Sequence, residues 1–128
     1  MKSPLKPVPL AECEPKDHAT RAATAGGASE EAFQRAADIF RALGDVSRLK
    51  LLACLAGGEW CVTELAQAIG ASLPTVSQQL RVLRAEGLLS RRRVAKHVYY
   101  ALADQHVREL IVSGLDHAVE PPPPPDDD

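Results

Sequence analysis

Two stretches of helical period are separated in this chain by only three residues, Gly70-Ala71-Ser72, a spacing that turns one helix sharply into the next. The first stretch, from about Cys61 to Ile69, closes at Gly70, a residue free to take the left-handed conformation that ends a helix. The second opens at Ser72, a good N-cap, and tolerates Pro74 in its first turn, where the missing N–H costs nothing. At 100° per residue Val76, Leu80 and Leu83 fall on one side of it. The opposite face then carries Pro74, Gln78, Arg81 and Ala85, with Thr75 and Ser77 on its flanks. Amides, hydroxyls and a guanidinium are groups that reach base edges and phosphates.

The same punctuation organises the rest. Ser29, followed by Glu30 and Glu31, starts a helix along Ala32, Ala36, Ile39, Phe40 and Leu43 that stops at Gly44. Asp45 caps a second, with Val46, Leu49, Leu52, Ala53 and Ala56 as its stripe and Gly57-Gly58 as its end. Beyond Gly87, a C-terminal cap, the period changes. LLSRRR and HVYYAL are short and rich in strand formers, and with Val94-Ala95-Lys96 between them they predict a β-hairpin. Asp104 caps a fifth helix along Val107, Leu110, Ile111, Gly114 and Leu115. Residues 1–28, with four prolines, read as a flexible arm, and residues 121–128, PPPPPDDD, as a disordered extended tail. The predicted fold is mostly α with a small β-hairpin (α+β), a winged helix-turn-helix spanning residues 29–120. Aromatics are only 4% of the chain, so its core must be aliphatic.

A net charge of −2 conceals segregation. Residues 71–100 hold Arg81, Arg84, Arg91, Arg92, Arg93 and Lys96 against Glu86 alone, a balance of +5 that leaves −7 elsewhere. A basic block in an acidic chain is the footprint of a polyanion partner. With the helix-turn-helix and hairpin in that order, it points to double-stranded DNA, with Thr75, Ser77, Gln78, Gln79 and Arg81 on the recognition helix and Arg91, Arg92, Arg93 and Lys96 on the wing. One such module reads few base pairs, which implies a homodimer on a pseudo-palindromic operator. No apolar run approaches the roughly 20 residues of a membrane helix. The N-terminus has no secretory h-region, and three scattered cysteines make no disulfide framework, so a cytoplasmic address and no membrane partner are expected.

The fifth helix also carries metal-ligand side chains. His106 and His117 are 11 residues apart, within about 20° of one face but about 16 Å apart along the axis, so one ion cannot touch both. His117 and Glu120 are i, i+3 neighbours, and Asp104 stands beside His106. The midpoint of 106 and 117 is 111.5 and that of 104 and 120 is 112, so the two pairs are placed symmetrically about one point. An antiparallel copy crossing near Val112 would bring Asp104 and His106 of one chain onto His117 and Glu120 of the other. Two imidazoles and two carboxylates in a closed set suit Zn2+, and Co2+ would fit as well. A weaker cluster pairs Cys61 and Glu64 at the start of the third helix with Cys13 and His18 in the arm.

These residues resemble the ArsR/SmtB family of metal-sensing bacterial repressors over about residues 30–120. The likeness rests on the Cys-Val-x-(Asp/Glu)-Leu-Ala segment at Cys61–Ala66, Val-Ser-x-Gln-Leu at Val76–Leu80, Gly-Leu-Leu at Gly87–Leu89 and His-Val-Tyr-Tyr at His97–Tyr100. It rests above all on Asp104-x-His106 followed by His117-x-x-Glu120. The resemblance implies a homodimeric winged helix whose apo form occupies an operator and whose metal-bound form releases it, with the fifth-helix set as the inter-subunit regulatory site. It implies a second metal site from Cys13, His18, Cys61 and Glu64. Three departures touch that second site: Glu64 stands where Asp is usual, four residues separate Cys13 from His18 where three is usual, and Trp60 replaces a Leu, placing a bulky ring beside Cys61.

The function expected is a zinc-responsive transcriptional repressor, with Cd2+ and Pb2+ as further candidate signals. A rival within the same fold is a thiol-redox repressor using Cys13 and Cys61. An enzyme is not expected, because four protein ligands close a zinc site that catalysis would need open.

Overall fold

In the computed structural model, which describes residues 27–126, helices begin and end at the capping residues. The chain divides into two compact units, Met1–Ala36 and Ala37–Asp128. Within the first, Ser29 caps the start of α1 (Glu30–Leu43): its Oγ accepts the Ala32 N–H at 3.1 Å, ahead of Glu30 and Glu31 in the first turn. The second unit continues with α2 (Val46–Ala56), β1 (Trp60–Cys61), α3 (Val62–Ile69), α4 (Leu73–Ala85), β2 (Leu89–Val94), β3 (His97–Leu102) and α5 (Gln105–Val119). Asp45 accepts from Arg48 N–H, Ser72 from Thr75 N–H and Asp104 from Val107 N–H, each supplying a partner for an otherwise orphaned first-turn donor.

The corner between α3 and α4 is the predicted one. Gly70 sits at φ 69°, a left-handed conformation, with its N–H on the Ala66 carbonyl. At the far end of α4, Gly87 takes φ 74°. Its N–H bonds the Arg84 carbonyl and that of Leu88 bonds the Leu83 carbonyl, so the helix is closed by crossed bonds and the chain is aimed into β2.

Residues 60–61 depart from the expected helix start. They form a short strand, and the sheet has three strands in the order β1-β3-β2, all antiparallel. Trp60 pairs with Tyr100 and Cys61 with Tyr99. Two residues are too few to show a period of two, so the sequence pattern marks only the helix expected from about Cys61. The hairpin turn is also tighter than expected: Val94 pairs with His97, leaving only Ala95-Lys96 as the loop. Ala95 adopts φ 54°, the positive value that such two-residue loops require.

The core is aliphatic. Leu51, Leu52, Leu65, Val76, Leu80, Leu83, Leu88 and Ile111 are fully buried, and Tyr100 is the one buried aromatic among the described residues. Helix α2 lies at its centre, packed against α3, α4, α5 and β3. A helix enclosed on so many sides buries more than a stripe, which is why Leu51 and Leu55 are inside while Val46, expected in the stripe, is 69% exposed. Phe40 of α1, one of the apolar residues at helical spacing, is 58% exposed.

Leu83 fixes α4 to this core. Leu83→Ala is expected to cost about 2–5 kcal/mol in urea unfolding, whereas Val46→Ala should stay within about 0.5 kcal/mol.

Candidate DNA-binding face and metal ligands

With Val76, Leu80 and Leu83 buried, α4 turns Thr75, Ser77, Gln78 and Arg81 outward. Three of these are already braced. The Ser72 hydroxyl donates to Thr75 Oγ1 at 2.9 Å, and Arg81 Nη1 donates to Gln78 Oε1 at 3.0 Å. Gln79 differs: it is half-buried, and its amide oxygen accepts from Arg48 Nη1 at 3.2 Å. Arg48 Nε also donates to the Ala42 carbonyl at 2.7 Å. One guanidinium therefore ties the C-terminal end of α1 to the side of α4. The sequence offered no signal for this link, since the two residues are 31 apart.

On the wing, Arg91, Arg93 and Lys96 are exposed. Arg92 is engaged instead. Its Nε and Nη2 donate to the two carboxylate oxygens of Glu59 at 2.7 and 2.8 Å, and its guanidinium carbon lies 5.6 Å from the centre of the Tyr99 ring. The Arg92 hydrogen bond holds the Glu59 carboxyl below the usual carboxylate range, and Glu59 in turn pushes the guanidinium up.

On α5, His106 and His117 line one open groove of about 730 Å3, together with Phe40, Glu109, Leu110, Ser113 and Gly114. His106 Nδ1 is 3.6 Å from Asp104 Oδ1, and His117 Nδ1 is 3.8 Å from Glu120 Oε1. Both imidazoles are almost fully exposed, at 91% and 88%. Each end of the helix thus presents one nitrogen and one carboxylate side by side. Among the described residues no three His, Cys, Asp or Glu side chains converge on one point, so the chain alone offers pairs of ligands there.

A helix-turn-helix with a basic antiparallel wing has clear relatives. A family profile described as "Bacterial regulatory protein, arsR family" matches residues 45–91, from the α2 cap into β2. The chain is 48% identical over 87 residues to a "Transcriptional repressor SmtB homolog" of Synechocystis sp., covering 68% of this chain and 66% of that protein. It is 40% identical over 88 residues to the HTH-type transcriptional regulator NmtR of Mycobacterium tuberculosis, covering 69% of this chain and 73% of that one. Among solved structures, the homodimeric winged helix-turn-helix DNA-binding domain of a possible ArsR-family regulator from Mycobacterium bovis superposes with a TM-score of 0.66. It is 32% identical and covers 73% of this chain and 89% of the other. The chain belongs to the ArsR/SmtB family. Its match spans just under two thirds of the SmtB homolog's length, at 66%.

In this ArsR/SmtB chain the second ligand cluster is only partly in view. Cys13 and His18 lie outside the described residues. Cys61, a free half-buried thiol, is the N-cap of α3, and its N–H donates to Glu64 Oε1 at 2.9 Å. That bond, then one from the Cys61 side chain and a smaller pull from His97, holds the Glu64 carboxyl below the usual range against the opposing effect of burial. Thiol and carboxylate therefore stand together, although one carboxylate oxygen is already used in capping. Trp60 is the strand residue just before Cys61. Its cross-strand partner is the buried Tyr100 and it packs on the core, while Cys61 pairs with Tyr99 on the opposite face.

The Arg48 bridge makes a prediction of its own. Arg48→Met removes charge-assisted bonds to Ala42 and Gln79 and should lower stability by about 1–3 kcal/mol in urea unfolding. Gln79→Ala should cost less, and a change below about 0.5 kcal/mol for Arg48→Met would show that the bridge carries no weight.

Proposed function

We propose that the chain is a metal-responsive transcriptional repressor, with Zn2+ as the signal, acting as a cytoplasmic homodimer on operator DNA. The observation that carries this reading is the pair of two-ligand ends on α5. Asp104 with His106 and Glu120 with His117 are each preassembled, exposed and incomplete, and both histidines face one apolar groove. A second copy laid antiparallel across Val112 would complete both sets and cover Phe40 and Leu110. The donors, two imidazole nitrogens and two carboxylate oxygens per site, match what a tetrahedral zinc site takes, with Co2+ the nearest alternative. Bound there, the ion supplies a cross-link between the two α5 helices and so restricts the angle between subunits.

The protein's own residues do the rest. Without metal, Thr75, Ser77, Gln78 and Arg81 enter the major groove, and Arg91, Arg93 and Lys96 lie along the backbone. The subunit geometry sets the spacing between the two α4 helices, and an operator accepts only a spacing near one helical turn. The repressor description of the Synechocystis relative supports the same direction of control. Cys13, His18, Cys61 and Glu64 form a second site in this reading, with thiolates that favour Cd2+ or Pb2+. The thiol-redox alternative uses Cys13 and Cys61 as a disulfide, and the free, half-buried Cys61 favours it. Loss of an oxidant response in Cys61→Ser with the zinc response intact would establish it.

Two measurements test the main reading. Duplexes selected from a random pool by the chelated protein should bind more than tenfold more weakly in zinc, a coupling above about 1.4 kcal/mol read by anisotropy. Equal affinities would end the metal-switch reading. In equilibrium dialysis, His117→Ala and His106→Ala should each lose about one Zn2+ per chain relative to wild type, as expected for a four-ligand site. Full retention by both variants would remove α5 from the site.

A further inference from the structure

We propose that Glu59 competes with DNA phosphate for Arg92, so that the wing grips the backbone through Arg91, Arg93 and Lys96 with one arginine held in reserve. The proposal rests on the DNA-binding reading above and deepens it by dividing the basic residues of the wing into engaged and available groups.

The geometry supports competition. Glu59 takes both Nε and Nη2 of Arg92, at 2.7 and 2.8 Å, which is the forked face an arginine offers to a phosphate. A guanidinium bound bidentate on that edge cannot present the same fork to DNA. Tyr99, the cross-strand partner of Arg92, holds the flat side of the group from the same face of the sheet. Arg91 and Arg93 project to the other face by strand alternation, and neither they nor Lys96 make an ion pair among the described residues.

Magnitude decides what the pair does. Its side chains are 58% and 39% exposed, and pairs that open to water contribute little to folding. A contact of that kind can be exchanged for a phosphate, and Glu59 reduces whatever Arg92 would add to DNA affinity. Removing Glu59 should therefore show as tighter DNA binding, with the fold unaffected.

The test measures salt dependence on the chelated full-length protein, using a duplex it has selected. Each phosphate neutralised contributes about 0.9 to the slope of log affinity against log salt. Wild type and Arg92→Gln should show the same slope. Glu59→Gln should bind several-fold more tightly and steepen the slope by up to about 1.8 per dimer, and Glu59→Gln/Arg92→Gln should return to the slope of Arg92→Gln. A flatter slope for Arg92→Gln alone would overturn the proposal, since Arg92 would already be on phosphate. So would weaker or unchanged binding by Glu59→Gln, which would make the pair a brace for the wing, or an equal gain in the double variant, which would assign the effect to lost negative charge. Absence of binding by wild type to any duplex would remove the DNA-binding reading itself, and the proposal with it.

Discussion

The burial of Val76, Leu80 and Leu83 against the aliphatic core is the constraint on which the rest of the structure depends. These three side chains set the rotation of α4 about its own axis, and that rotation alone determines which residues face solvent. With the aliphatic side committed, Thr75, Ser77, Gln78 and Arg81 have no direction left except outward. The two left-handed glycines, Gly70 and Gly87, bracket the same helix, so its length and its entry and exit directions are held together with its rotation. Helix α2, enclosed by four other elements, is the surface against which α4 is seated.

Charge is then distributed by partnership. The basic residues look alike along the chain, yet the folded protein sorts them. Arg48 is drawn inward to carbonyls at the end of α1 and to Gln79, whereas Arg92 is drawn across the sheet to Glu59. Arg91, Arg93 and Lys96 remain facing water. A basic residue already paired to carboxylate or carbonyl is a poorer phosphate ligand than a free one of the same type. The number of arginines is therefore a poor guide to how many can hold a nucleic acid.

The histidines and carboxylates of α5 illustrate a different division. Their spacing was legible because a helix converts residue number into angle and distance by fixed rules, and both histidines do lie along one groove. The pairing of each histidine with its own carboxylate is likewise local, at 3.6 and 3.8 Å. The strand at Trp60–Cys61 and the sides taken by Trp60 and Cys61 were not legible, because a two-residue strand exists only through its pairing with β3. The exposure of Phe40 has a related cause. A helical stripe records which side is apolar without recording whether the same chain covers it.

Local rules thus gave the helices, their caps, the corner at Gly70, the hairpin and the histidine–carboxylate pairs on α5, since each depends on residues a few positions apart and on backbone geometry common to all chains. The fates of Gln79 and Arg92, the third strand, and the full enclosure of α2 arose from contacts across 31 or more residues or from simultaneous packing on several sides. No pattern within a window of sequence encodes such contacts, because each requires the other partner to be already in place.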